Sequence, residues 1–159
     1  MNRCGVIAGP WQMGKVDQGF VALWAARHLY GGKLGYVGWG GKGKQVRDVL
    51  HVDDLFTLIR TQVANMPRHA GRTYNAGGGA ERSVSLLEMT ARCAALAGRT
   101  IAMGSDPETR PADVPYYVTD NAEVTAATGW APAHSVDKLM ADVFAWLREH
   151  RAILEPILS

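Results

Sequence analysis

Cysteine is scarce in this chain: two in 159 residues, Cys4 and Cys93, far apart and forming no Cys-x-x-Cys pair. That scarcity excludes a disulfide framework and a ribbon-type zinc site. With no secretory apolar region at the start, it fits a cytoplasmic location. No apolar run approaches the roughly 18 residues that span a bilayer, so no membrane partner is expected. A dominant charge is also missing. The 17 Lys and Arg against 15 Asp and Glu leave a formal charge of +2, too small to argue for nucleic acid. The one basic cluster, Lys42, Lys44 and Arg47 beside Trp39, has the size of a solvated turn or a small-anion site. The five histidines, at 28, 51, 69, 134 and 150, lack metal-site spacing, so no metal is expected. His51 with Asp53 and Asp54 is the nearest approach to one. There is no Gly-x-Ser-x-Gly elbow and no local signature of a catalytic thiol at Cys4.

What the chain has in abundance is glycine, densest in Lys33-Leu-Gly-Tyr-Val-Gly-Trp-Gly-Gly-Lys-Gly-Lys-Gln-Val-Arg-Asp48. Gly35, Gly38 and Gly41 spell one dinucleotide fingerprint, Gly38, Gly40 and Gly43 another, and Gly38 with Gly43-Lys44 a P-loop. A dinucleotide fingerprint needs a buried strand before it and a helix after it, and no helical period follows. A P-loop needs Ser or Thr after its lysine to hold magnesium, and Gln45 stands there, which disfavours a nucleotidase. The residues predict instead a two-strand turn, Gly35 to Trp39 running into Val46 to Leu50.

Asn2 to Gly9 predicts a short buried strand. A strand at the very start resembles the middle of an α/β unit, so the chain is expected to be one partial unit. Helices are predicted over Asp17 to Tyr30, from Val52 to about Pro67, from Ser85 to Gly98 behind a Ser85-Leu-Leu-Glu88 capping box, from Asp120 to Gly129, and along Val136 to Leu147. Strands are predicted at Arg72 to Ala76 and Thr100 to Met103, with Asp106 to Pro115 a proline-bearing loop. Arg47 and Arg110 could present planar forks to a shared anion, but spacing alone cannot bring them together.

Seven blocks in one order carry a resemblance. They are Arg3-Cys-Gly-Val-Ile-Ala-Gly-Pro-Trp-Gln12, Gly43-Lys-Gln-Val-Arg-Asp-Val-Leu-His-Val-Asp-Asp54, Tyr74-Asn-Ala-Gly-Gly-Gly79, Ser85-Leu-Leu-Glu88, Arg110-Pro-Ala-Asp-Val114, Tyr117-Val-Thr-Asp120 and Thr128-Gly-Trp-Ala-Pro132. Together they resemble the second half of the NAD-dependent epimerase/dehydratases, the extended short-chain dehydrogenase/reductases of nucleotide sugars, and most the CDP-paratose/CDP-tyvelose 2-epimerases. The resemblance implies an α/β fold, the C-terminal part of a Rossmann-type enzyme. Residues 1-12 and 72-79 would be sheet strands, and the remainder mainly a small substrate-binding subdomain.

It further implies that Arg47 and Arg110 hold a sugar nucleotide's diphosphate, that Asp113 lies near the ribose, and that Gln45 and Gln12 line the substrate site. Cys4 and Gly5 would approach the cofactor, NAD, in a complete enzyme that could form a homo-oligomer. Val6 and Ala8 depart from the Asn and Tyr common in relatives. The catalytic Tyr-x-x-x-Lys is missing from these residues, since no tyrosine has a lysine four places on. No catalytic residue is therefore assigned, tight NAD binding is not expected, and the chain alone is expected to be inactive. The other class of function is a binding module that holds a nucleotide sugar or a protein without catalysis.

Overall fold

The computed structural model describes residues 1–14 and 19–159; the expected start of the first helix at Asp17 lies outside them. The N-terminal segment forms two short strands, β1 (Asn2–Cys4) and β2 (Val6–Ala8). The break is at Gly5, whose amide donates to Ala76 O at 3.0 Å. Helix α1 (Phe20–Tyr30) leads to β3 (Leu34–Val37), and a 3-10 turn (Trp39–Gly41) precedes β4 (Val46–His51). Then come α2 (Val52–Ala64), the one-turn α3 (Met66–His69), β5 (Tyr74–Ala76), β6 (Ser83–Ser85) and α4 (Leu86–Ala97). Strands β7 (Met103–Asp106) and β8 (Tyr116–Tyr117) precede α5 (Ala122–Thr128), α6 (Val136–Glu149) and α7 (Arg151–Leu158).

Strand pairing is mostly parallel. β1 pairs with β5, β2 with β4, β3 with β7, and β8 with β4, while β6 pairs antiparallel with β4. One expectation is corrected here. β3 and β4 flank the glycine run but join different sheets, so the run is a crossover rather than a two-strand turn. Each strand buries its side chains against a partner from a distant part of the chain, which a local pattern cannot show. The strand expected at Thr100 to Met103 begins where that range ends, and Pro67 opens α3 rather than closing α2.

Helix α6 buries Val136, Leu139, Met140, Val143, Phe144 and Leu147, a 3.6-period stripe. Its Ser85-like start is Ser135, whose side chain accepts from Lys138 N. The stripe meets α1, in which Ala22, Ala25 and Ala26 allow close approach between α4, α6 and α7. A second cluster, Leu50, Leu58, Tyr74, Ala76, Val124 and Trp130, joins β4, α2, β5 and α5. The capping box is complete, with Ser85 and Glu88 exchanging hydrogen bonds and Gly98 closing α4 in the left-handed region. No helix among the described residues is long and apolar enough to cross a membrane.

At the second cluster, Trp130 Nε1 donates to Asp54 O at 2.9 Å, while the buried Asp54 carboxylate accepts from His134 N at 3.0 Å and pairs with His134 Nδ1 at 2.8 Å. Burial pushes the Asp54 carboxyl up, but hydrogen bonds from His134 and Ala133 outweigh it and hold the group below its ordinary value. A depressed folded pKa stabilises the fold above the unfolded value, about 3.9, and loses that contribution as pH falls through the folded value. Urea melts of the wild type and Asp54→Asn from about pH 6 down to pH 2.5 should therefore converge in stability at the acid end and diverge above about pH 4. A constant gap would remove Asp54 from the acid transition.

Candidate functional site

The polar and apolar residues of five segments line a cavity of about 580 Å³. One wall is the face of α1 at i, i+3, i+4 and i+7: Phe20, Leu23, Trp24 and Arg27. β3 supplies Leu34, Gly35 and Val37, the β6–α4 junction supplies Val84 and Leu86, and the mouth is the turn Arg110-Pro-Ala-Asp113. A single hydroxyl braces three of the elements around it. Thr90 Oγ1 accepts from Trp24 Nε1 and Tyr36 OH, each at 2.9 Å, and donates to Leu86 O at 2.8 Å. That ties α1, β3 and α4 together behind the cavity.

Arg47, on β4, also lines it. Its Nη1 donates to Val46 O at 2.8 Å, and its Nη2 to Asp113 Oδ1 at 2.8 Å and Val114 O at 2.7 Å. Three of its five N–H donors are thus engaged, which fixes the plane and leaves two for a ligand. Asp113 holds Arg47 and also accepts from Trp39 Nε1 at 3.2 Å, so it acts here as the partner that aims a guanidinium. Arg110 sits on the other side of a turn closed by Asp113 N to Arg110 O at 3.2 Å. Pro111 in the second place and a positive φ of 64° at Ala112 in the third follow the type II pattern. A non-glycine residue there is strained, and the strain lies in the segment that presents both Arg110 and Asp113. Among the described residues the Arg110 side chain has no acid within ion-pair distance and makes no hydrogen bond.

Gln45 is buried at 6% exposure and also faces the cavity. Its Nε2 donates to Val37 O at 2.6 Å, and its Oε1 is buried without a partner among the described residues. A buried acceptor left unpaired costs about 1 to 3 kcal/mol, so this oxygen marks a place where a ligand donor would gain.

The structure thus gathers Arg47, Arg110, Asp113 and Gln45 on one cavity, although the arginines are far apart in sequence. It does not bring the other three expected residues there. Gln12 donates through Nε2 to Ile7 O at 2.7 Å and does not line the cavity. Cys4 lies on β1, with its thiol pushed up by burial and so held neutral, and the Gly5 amide is spent on Ala76 O. A Cβ on Gly5 would lie 2.9 Å from Thr119 Oγ1, so the space beside it is filled by protein. These residues do not fit a dinucleotide site by themselves. Cys93, buried in α4 and pushed up to about 12 by burial, is inert.

The glycine run is not a phosphate nest. Gly38 N donates to Asp106 O at 2.8 Å, Gly40 N to Pro107 O at 3.4 Å and Gly41 N to Gly38 O at 2.9 Å, so these three amides are spent on the protein. A strand, not a helix, follows it. Gly43 has a positive φ of 65°, and a Cβ there would lie 2.6 Å from the Tyr36 ring, so the run passes close under β3 and delivers Gln45 and Arg47 to the cavity.

Two features escaped the sequence reading. Arg27 joins the cavity from α1, signalled only by the Gly31-Gly32 pair after the helix. His134 joins the residues around His51: the rings stack at 4.4 Å, and one ligand atom from each of His51, Asp53 and His134 lies within 4.8 Å of the others. His51 Nδ1, however, accepts from Asp53 N at 3.0 Å as the cap of α2. Through that cap and the stacked rings the group locks α2 against the 130–134 segment.

Comparison with known proteins gives a consistent result. Residues 1–77 match the model of the NAD dependent epimerase/dehydratase family. The chain is 30% identical over 142 residues to the CDP-paratose 2-epimerase of Salmonella typhi, covering 74% of this chain and 42% of that protein. It is 32% identical over 118 residues to a dTDP-glucose 4,6-dehydratase of Streptomyces griseus, covering 74% and 35%. Among solved structures, the UDP-glucose 4-epimerase of Thermotoga maritima with UDP-glucose superposes with a TM-score of 0.75 at 24% identity, covering 94% of this chain and 46% of that one. The Thermus thermophilus UDP-glucose 4-epimerase complex with NAD gives 0.76 at 23%, covering 92% and 45%. The fold is that of the extended short-chain dehydrogenase/reductases, and the chain spans less than half the length of these relatives.

Proposed function

The first 77 residues belong to the NAD dependent epimerase/dehydratase family, and from that premise we propose that this chain is the substrate-binding portion of a nucleotide-sugar epimerase. The single observation that carries the reading is the meeting of Arg47 and Arg110 on one cavity of about 580 Å³, a volume suited to a small organic ligand. Arg47, aimed by Asp113, and the uncommitted Arg110 hold the diphosphate. The unpartnered Gln45 Oε1 takes a hydroxyl or amine of the ligand, and the apolar wall of α1 carries the rest of the nucleotide. The similarity to a CDP-paratose 2-epimerase supports a CDP-deoxysugar as substrate and C2 of the sugar as the reacting carbon.

In such an enzyme NAD supplies the hydride chemistry, taking hydride from a sugar carbon and returning it to the other face. The residues of this chain do something narrower: they bind and orient the diphosphate. No Tyr-x-x-x-Lys pair occurs among the 159 residues. By themselves they bind without turnover, and the proton and hydride steps belong to residues outside them.

The test is calorimetric titration of the chain with CDP and with CMP. Two arginines reading a diphosphate predict that CDP binds at least about tenfold more tightly, the scale of one charge-assisted contact. Equal affinity for the two would reject the diphosphate role.

A further inference from the structure

Arg27 lines the cavity with a guanidinium that has no counter-charge among the described residues. It projects from the last turn of α1 into the cavity, beside Lys33 and at the opposite end of β3 from Gln45. Gly32, at a φ of 131°, lies under its side chain: a Cβ there would lie 2.5 Å from Arg27 Cδ and 2.6 Å from its Nη1. The positive φ favours glycine at this position, and the flexible Arg27 side chain lies over the bare backbone that glycine leaves. Yet the group is unused, because its Nε is buried without a partner and it makes no ion pair among the described residues. A half-buried arginine with idle donors costs stability unless something else takes them.

We propose that Arg27 reads the base of the bound nucleotide and selects cytosine over uracil or thymine. This rests on the reading of the cavity as a nucleotide-sugar site. With the diphosphate on Arg47 and Arg110 at one end of β3, the nucleoside extends along the strand toward its other end, roughly 13 Å away at about 3.3 Å per residue. The base edge then comes to Arg27. The guanidinium is a fork of donors with no acceptor. Cytosine offers it two adjacent acceptors, N3 and O2, for a bidentate pair. Uracil and thymine place an N3–H donor between their two carbonyls, so the fork meets a donor and keeps only one bond.

The measurement is the affinity of the 159-residue chain for CDP and for UDP, in the wild type, Arg27→Met, Arg27→Lys and Arg47→Ala. The wild type should prefer CDP about tenfold, the scale of a bidentate base contact. Both Arg27 variants should bind the two nucleotides alike, at the wild-type affinity for UDP or weaker. Arg27→Lys keeps the charge without the fork, so its loss of preference separates base reading from simple attraction, and it carries the test if Arg27→Met does not fold. Arg47→Ala should weaken both nucleotides equally and keep the preference. Equal affinity of the wild type for CDP and UDP, with Arg47→Ala still weakening both, would overturn the role of Arg27 alone. Binding of neither nucleotide by the wild type would overturn the nucleotide reading and this inference with it.

Discussion

Gly77→Ala should destabilise the chain by about 3 to 5 kcal/mol, among the largest effects of any single methyl added to it. A Cβ at Gly77 would lie 2.2 Å from Thr119 Oγ1 and 2.3 Å from Asp48 Oδ2. Neither neighbour can give way cheaply. Asp48 is fully buried, and its Oδ2 accepts from Gly79 N at 3.0 Å and Thr119 N at 3.2 Å. Moving it breaks two hydrogen bonds to a buried carboxylate, each worth about 1.5 to 3 kcal/mol. The Gly77 backbone is held from the other side, with its amide donating to Asn121 Oδ1 at 2.9 Å and its carbonyl accepting from Asn121 Nδ2 at 2.9 Å. Urea denaturation reads the effect as a large drop in midpoint at an unchanged slope. A loss below about 1 kcal/mol would mean that the β5–α5 junction yields more readily than this packing allows.

Arg47→Ala should weaken binding of a nucleoside diphosphate by about 1.5 to 3 kcal/mol, roughly tenfold to a hundredfold or more in affinity, while costing the fold much less. The asymmetry follows from position. Its engaged donors go to Asp113 and to two carbonyls at the cavity's edge, where water replaces them at little cost. Its remaining donors have no partner among the described residues, and the proposed diphosphate would take them. The effect should shrink at high salt, because the contact is ionic and partly exposed. Asp113→Asn should act in the same direction but less strongly, because it loosens the guanidinium without removing it. A variant that binds as well as the wild type at low salt would take Arg47 out of the site.

Local chemistry was legible in the sequence wherever one segment decided the outcome. The Ser85-x-x-Glu88 capping box and the stripe from Val136 to Leu147 are single-helix signals, and both elements formed where they indicate. Pro156 concealed α7: it lies inside the helix Arg151–Leu158, where a proline ordinarily reads as a stop. The break at Gly5 was hidden for a different reason. β1 and β2 each find a different parallel partner, β5 and β4, and only the pairing of distant strands decides where the chain changes ladders.

The site followed the same division. Residue types pointed to Arg47 and Arg110 as anion forks, but the Arg47–Asp113 pair spans a sequence separation of 66, and no spacing argument predicts that one aims the other. Arg27 carries no sequence signal of its own and reaches the cavity only because α1 packs beside β3. His134 likewise reached Asp54 across a separation of 80. Family resemblance supplied Gln12, Cys4 and Gly5 as candidates; Gln12 and Gly5 bond to the backbone, and the half-buried Cys4 does not line the cavity.

The most direct measurement is a crystal structure of the chain grown with a CDP-sugar. The account predicts the diphosphate between Arg47 and Arg110, with both guanidinia within hydrogen-bond distance of its oxygens and the nucleoside lying along β3. A nucleotide bound on any other face, or a cavity left without it at saturating ligand, would contradict the assignment of this site.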